Sequence, residues 1–406
     1  MSNNKKLSYR WPLLIISVIA MLFAGIIYAW SILKVPFTEN FGWKPEQLSL
    51  NFTFTMCSFC LGGLLGSFLS RKIGVKATSI TSAILAGGGM ALTGLLNGNN
   101  VITLYLTYAV LAGLGIGCAY NVIISTVTAW FPDKKGLCTG CLMMGFGASS
   151  LILGNIADLL FKTSLDMRGT YIVLGASLFI VLGFAGIFLK RPNADTVLPL
   201  SKKRADSSIE VFETTDYTTK DMLKRFSFWR AFALLTFVTA VGNSVISFAR
   251  DLALSVGARV ALATTLVGVL AVCNGLGRIL SGVLFDYLGR RKTMLIATVL
   301  TIIAAGITLL SVIITSLPVC IIGLCLTGLS YGSCPTMVTS FISVFYGQKH
   351  FATNFSIMNC NLIFASSIAT ACSSLLSSFG SYIAPFILLL IIAVVAFILN
   401  LSIKRP

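Results

Sequence analysis

Hydrophobic and polar positions separate into long blocks along this chain of 406 residues. Uncharged stretches cover 11–33, 47–70, 136–157, 169–189 and 231–249, and a sixth, about 260–284, is broken only by Arg278. Each is long enough for one helix to cross roughly 30 Å of hydrocarbon. Three more stretches are too long for a single helix and carry turn signals in the middle. Residues 77–132 divide at "NGNN" (97–100), 293–348 near "TSLP" (315–318), and 351–403 near "SSFGSY" (377–382). The pattern predicts an all-α membrane protein of twelve transmembrane helices. The runs are continuous rather than alternating, which excludes a closed β-barrel.

The pattern also repeats. "LAGLGIGCAYNVIISTVTAW" (111–130) and "LTGLSYGSCPTMVTSFISVF" (326–345) align at an offset of 215, which also places Gly74 on Gly289. Two six-helix halves follow, 1–189 and 231–406, joined by a linker at 190–230 in which 15 of 41 residues are charged. Paired halves of this kind suggest a carrier working by alternating access. The N-terminal run from Trp11 to Leu33 is longer than the h-region of a signal peptide and reads as the first span.

Composition agrees with the membrane reading. The chain is 56% hydrophobic, and only 11% of residues are charged, against about 25% in soluble domains. The net charge of +17 does not indicate nucleic-acid binding, because the basic residues sit in short segments between apolar runs. With the N-terminus inside, those inner segments hold 23 of the 30 Lys and Arg. Both termini are therefore expected in the cytoplasm, with the chain in the cell's inner (plasma) membrane. Six basic residues fall outside, and Arg278 belongs to neither set. The eleven Cys include C-x-x-C pairs at Cys57/Cys60 and Cys138/Cys141. A zinc or redox site of that type needs further polar ligands, and one His cannot supply them. These cysteines read as small lipid- or helix-facing residues, and no metal or cofactor is expected.

"GVLFDYLGRRK" (282–292) falls on the turn between the eighth and ninth spans. Gly282 allows close helix approach, Asp286 can cap a helix or pair with Arg290 or Arg291, and Gly289 permits a tight turn. The first-half counterpart, "SFLSRKIGVK" (67–76), has Arg71 where Asp286 falls. The two segments resemble the loop motifs of the major facilitator superfamily, and the resemblance extends over the whole chain. "YAWS" (28–31), "GLGIGCAYN" (113–121), "AWFPDKKG" (129–136) and "CNGLGRILSG" (273–282) are similar to the oxalate/formate antiporter and monocarboxylate transporter branch.

That resemblance implies a small carboxylate in a central cavity, held by an arginine on the eighth span, where Arg278 matches. A guanidinium meets a carboxylate at two points, and an intramembrane arginine needs a wet cavity or a partner. The alternative is a structural arginine bonded to carbonyls at a helix break near "NGLG". The resemblance also places Tyr28, Tyr120 and Tyr331 at the cavity, while Trp30 and Trp130 read as interface anchors. On the eleventh span the lysine of oxalate carriers falls on Leu362, and a glutamine that some of them carry on the second span falls on Met56. Asn359 and Asn361 supply amides there, either to the cavity or between helices. Asp158 can titrate or pair with Lys162, and Arg250 with Asp251 can gate the outer end of the seventh span.

The sequence thus predicts a transporter, not an enzyme, that moves a formate-, lactate- or pyruvate-type monocarboxylate. It works as an exchanger or a proton symporter and as a functional monomer. Its partners are the carboxylate, the bilayer and a proton or counter-anion. Two alternatives stand: a carrier of a larger organic anion or hydrophobic solute, and a transport-inactive membrane sensor.

Overall fold

The computed structural model describes residues 9–192 and 216–403. Lys5, Lys6, most of the polar linker, Lys404 and Arg405 lie outside the described residues, so their place in the charge argument is not visible there. Every regular element among the described residues is a helix. Among these residues, eleven helical segments are long and apolar enough to cross a membrane. The longest element contains one residue that no helix can hold, Gly289 with φ 75 and ψ 176. It is two helices that meet at a glycine.

In chain order, α1 (Arg10–Ala24) passes through a tighter 3-10 segment (Gly25–Ala29) into α2 (Trp30–Leu33). Then come α3 (Val35–Phe41), α4 (Pro45–Lys72) and α5 (Gly74–Thr93). The next span starts as α6 (Val101–Leu104), widens into a π-helix (Tyr105–Ala112), and continues as α7 (Gly113–Val127) with a 3-10 end (Thr128–Trp130). α8 (Lys135–Phe161) and α9 (Asp166–Phe188) follow. α10 (Thr219–Leu223) lies within the linker's end, followed by α11 (Phe226–Ser255), α12 (Val260–Ile313) and α13 (Leu317–Phe345). α14 (Phe351–Asn359) and α15 (Asn361–Phe379) are separated at Cys360, and α16 (Ile383–Ser402) is last.

The chain divides into two compact units. Unit 1 holds Met1–Asp133, Cys141–Val211 and Phe355–Ile357. Unit 2 holds Lys134–Gly140, Phe212–Asn354 and Met358–Pro406. Each is built on the same helix crossing. In unit 1, a Cβ at Gly62 would lie 2.2 Å from the Leu114 carbonyl oxygen, and one at Gly117 would lie 2.0 Å from that of Phe59. In unit 2, Gly277 meets Leu329 at 2.3 Å and Gly332 meets Asn274 at 2.1 Å in the same way. Each pair maps onto its counterpart at the 215-residue offset of the sequence repeat. The paired glycines Gly74 and Gly289 also share a left-handed φ, +83 and +75. Glycine permits this backbone contact because lipid gives helices little hydrophobic drive, so close van der Waals packing must hold them.

Two tryptophans correct the sequence reading. Trp30 and Trp130 are not interface anchors: both are buried within unit 1, at 4% and 5% exposure. An indole N–H placed among apolar groups needs an acceptor. Trp30 Nε1 donates to the Leu48 carbonyl at 2.9 Å, and Trp130 Nε1 to that of Lys190 at 2.6 Å.

Candidate functional site

Arg278 lies on α12 and is 4% exposed. Its Nε donates to Oδ1 of Asn274, one turn earlier, at 3.2 Å. Its carbonyl oxygen accepts from Thr336 Oγ1 on α13 at 3.2 Å and from Ser281 Oγ at 3.1 Å. Helix α13 approaches through Gly332, where a Cβ would lie 2.1 Å from the Asn274 carbonyl and 3.0 Å from the Arg278 nitrogen. The guanidinium is thus carried on a fixed backbone and steadied at Nε by a neutral amide. Tyr331, next to Gly332, is buried against α11: a Cβ at Gly242 would stand 2.2 Å from its ring. Asn359 is buried and ends α14 at the Cys360 break, and Asn361, also buried, begins α15. Leu362 is half-buried and Met56 is buried. The fold therefore brings Arg278 and Tyr331 onto two helices in backbone contact.

The glycine-rich turn occupies one end of the same unit. A Cβ at Gly282 would meet the Gly136 carbonyl at 2.2 Å. Asp286 accepts through Oδ1 from the Gly136 N–H at 2.8 Å and through Oδ2 from the Leu137 N–H at 2.9 Å. It therefore caps the first turn of α8, where backbone donors have no helical partner and the dipole favours an anion. The Arg290 guanidinium lies 4.4 Å from the Phe345 ring centroid, and Arg291 is exposed.

In unit 1, Tyr28 and Tyr120 both lean on Phe146, with ring centroids 5.3 and 5.0 Å away. Tyr120 also meets Phe59 at 5.0 Å and stacks on Phe355 at 5.9 Å, and its hydroxyl donates to Met143 Sδ at 3.2 Å. Beside it, Asn121 Nδ2 donates to Ser356 Oγ at 2.6 Å. The sequence reading missed Asn274, Phe59, Phe146, Phe355 and Asn121. Asn274 carried a signal: it stands four residues before Arg278 in a helix, which puts the two on one face. The aromatics carried none, since single Phe residues in apolar runs look alike.

The remaining candidates are exposed pairs. Lys162 Nζ lies 2.7 Å from Asp158 Oδ2, one turn apart on α8 and its end. Arg250 and Asp251 are 3.9 Å apart at their charged atoms. No group of three or more His, Cys, Asp or Glu able to hold a metal occurs among the described residues.

A family profile described as Major Facilitator Superfamily matches residues 13–248 and 232–406. Among curated proteins, the chain is 25% identical over 350 residues to the uncharacterized MFS-type transporter YhjX of Escherichia coli K12, covering 86% of this chain and 84% of that one. It is 26% identical over 294 residues to the oxalate:formate antiporter of Oxalobacter formigenes, covering 71% and 66%. Monocarboxylate transporter 12 of Rattus norvegicus is 31% identical over 148 residues, covering 36% of this chain and 29% of that one. Solved structures share the fold at low identity. The E. coli fucose:proton symporter FucP matches with a TM-score of 0.71 at 17% identity, over 98% of this chain and 100% of that one. The proton:xylose symporter XylE matches with a TM-score of 0.76 at 13% identity, over 98% and 96%.

Proposed function

The chain belongs to the Major Facilitator Superfamily, and from that premise we propose that its cargo is a small monocarboxylate anion clamped by Arg278. It is a multi-pass integral membrane protein and not an enzyme, and it moves a small polar solute by alternating access. One observation carries the finer reading: an arginine, Arg278, at 4% exposure in a helix otherwise uncharged from Val260 to Phe285. An intramembrane arginine costs a few kcal/mol, and such residues mark substrate pathways. Its planar fork matches a carboxylate at two points. Tyr331 supplies an aromatic wall nearby on α13, and Asn359 an amide at the helix break. Tyr28 and Tyr120 are each expected to alter apparent affinity when truncated. Similarity to two relatives, an oxalate:formate antiporter and a monocarboxylate transporter, supports a carboxylate.

A single cation favours a single negative charge. Leu362 and Met56 stand where a second cation and an amide would favour oxalate. The same apolar residues support a second reading, a larger organic anion with a hydrophobic body. Coupling is assigned to the cargo itself, by exchange for another anion or by carrying its own proton, since Asp158, Arg250 and Asp251 form exposed pairs.

We assign twelve spans, counting α12 as two that meet at Gly289, in halves 1–189 and 231–406. Both termini and the linker 190–230 are placed in the cytoplasm of the inner membrane. A cysteine at Ser207, outside the described residues, should resist an impermeant thiol reagent in intact cells. Labelling there would reverse the orientation. For the cargo, counterflow of labelled formate, lactate, pyruvate and oxalate in proteoliposomes is the decisive measurement. Arg278→Ala should insert and fold yet lose most uptake, and Arg278→Lys should rescue poorly. Full transport by the alanine variant would overturn the clamp.

A further inference from the structure

Three helices converge on one backbone atom of Arg278. Its carbonyl oxygen accepts from Thr336 Oγ1 on α13 at 3.2 Å, and a Cβ at Gly140 on α8 would lie 2.6 Å from it. One turn away, a Cβ at Gly136 would lie 2.1 Å from the Gly282 carbonyl oxygen, and Lys135 Nζ donates to Ser343 Oγ at 3.0 Å. Gln348 Nε2 donates to the same hydroxyl at 2.6 Å. Lys134–Gly140 is grouped with α12 and α13 in unit 2, so the junction lies inside that unit. The contacts set α8 antiparallel to α13, with Gly140 near the level of Thr336 and Lys135 near that of Ser343. Between those levels sit Thr139 and Ser340, at 1% and 2% exposure. Neither hydroxyl has a hydrogen-bond partner among the described residues. Other hydroxyls of α13 return to their own helix: Thr339 to the Pro335 carbonyl at 3.0 Å, Thr327 to that of Gly323 at 2.8 Å. A buried hydroxyl without a partner destabilises the state that holds it, where valine or alanine in its place would not.

We propose that Thr139 and Ser340 line the cargo's passage on the Lys135 side of Arg278, a carboxylate-binding step that forms when α8 parts from α12 and α13. Alternating access supplies the second arrangement in which the two hydroxyls find partners. α8 is the element that changes neighbours: up to Gly140 it is grouped with unit 2, and from Cys141 with unit 1. A carboxylate leaving Arg278 then meets two hydroxyl donors and, one turn beyond, the Lys135 ammonium. Its charge stays hydrogen-bonded throughout, which lowers the cost of carrying it through an apolar surround. The inference rests on the carboxylate reading of the cargo and extends it to residues beyond Arg278.

The test uses the full-length chain, in detergent for stability and in proteoliposomes for transport. Thr139→Val and Ser340→Ala should keep the thermal midpoint of the wild type or raise it, because no protein partner is lost. In the double variant, maximal counterflow of the best-transported monocarboxylate should fall about tenfold while the apparent KM stays within about twofold. Thr139→Ser, which keeps the hydroxyl, should keep the rate. Ser340→Cys reports the opening: a small anionic methanethiosulfonate, added on both sides of the membrane, should modify that residue, as read by fragmentation mass spectrometry. Saturating monocarboxylate should slow the modification. A lowered midpoint in the valine or alanine variant would make the hydroxyls structural and overturn the proposal. So would unchanged counterflow in the double variant, a Ser340→Cys thiol that never reacts, or a reaction that carboxylates do not slow. Failure of the Arg278 clamp shows separately, as full transport by Arg278→Ala.

Discussion

Arg10 and Asp133 meet at two points, Nη1 to Oδ1 at 2.7 Å and Nη2 to Oδ2 at 3.2 Å. Both side chains are largely buried, at 11% and 12% exposure, and the guanidinium lies 5.6 and 5.0 Å from the ring centroids of Trp11 and Phe131. The pair joins the start of α1 to the turn before α8. Nearby, the Tyr9 hydroxyl donates to the Phe188 carbonyl and Trp130 to that of Lys190, so one end of unit 1 is closed by polar contacts. Arg10→Ala leaves the Asp133 carboxylate without its fork and should cost about 2 kcal/mol, the scale of hydrogen bonds to charged groups. Arg10→Lys should recover less than half, because an ammonium makes one contact where the fork makes two. Thermal unfolding in detergent, followed by tryptophan fluorescence, measures this. An unchanged midpoint for the alanine variant would show the pair to be ornamental.

A second anchor lies in unit 2. Asp216 Oδ1 accepts from the backbone N–H groups of Gln348 at 2.8 Å and Lys349 at 3.0 Å, just after Gly347 with φ +76. Tyr217 N donates to the Tyr346 carbonyl at 3.2 Å, and Asn354 Nδ2 to that of Tyr217 at 3.2 Å. Burial pushes the Tyr346 phenol up to about 12, so it stays a neutral partner for Ser227 at 2.9 Å. The end of the linker is thereby strapped to the connection between α13 and α14. Asp216→Ala removes a charged acceptor from two donors. Amide hydrogen exchange at Gln348 and Lys349 should rise about tenfold, the equivalent of 1.4 kcal/mol. Equal exchange in both proteins would mean that the strap does not hold this loop.

The spans were legible because hydrocarbon imposes a length and forbids charge over it, and "NGNN" and "TSLP" mark turns chemically. The repeat was legible through Gly113, Gly117, Gly328 and Gly332, since a glycine kept for backbone contact recurs wherever the contact does. The irregular segments were not. The 3-10 turn at Gly25–Ala29 arises where Gly25 meets Phe146, a contact 121 residues away along the chain that no local pattern records. The π-helix at Tyr105–Ala112 and the break at Cys360 are equally silent in composition. Asp133 illustrates the limit: "WFPD" states a turn, but only the fold shows that its carboxylate belongs to Arg10.

Asn274 should act through Arg278. Its Oδ1 accepts from Nε and fixes the rotation of the guanidinium plane. Asn274→Ala frees that rotation, and the loss of one net hydrogen bond, about 1 kcal/mol, should raise the apparent KM for the cargo about fivefold with little change in maximal rate. Asn274→Asp keeps the acceptor but adds a charge that would compete with the proposed cargo carboxylate, so it should be worse than alanine. Equal KM values for wild type and Asn274→Ala would remove the positioning role and leave Arg278 untouched.

The number of charges the site accepts follows from the same geometry. On the proposed reading, Arg278 would offset one carboxylate. A second one enters unpaired, and a buried unpaired charge costs several kcal/mol. With 1.4 kcal/mol equal to tenfold in affinity, oxalate should bind at least about a hundredfold more weakly than a monocarboxylate of similar size. Leu362 is half-buried one position beyond Asn361 on α15. Leu362→Lys should narrow the gap by supplying the second cation, while Leu362→Met should leave it unchanged, which separates charge from shape. Competition of oxalate and formate against labelled counterflow gives both affinities in one preparation. Tight oxalate binding by the wild-type chain would refute the single-cation argument and require another basic residue at the cargo, with Lys34, which caps the end of α2, the first to test.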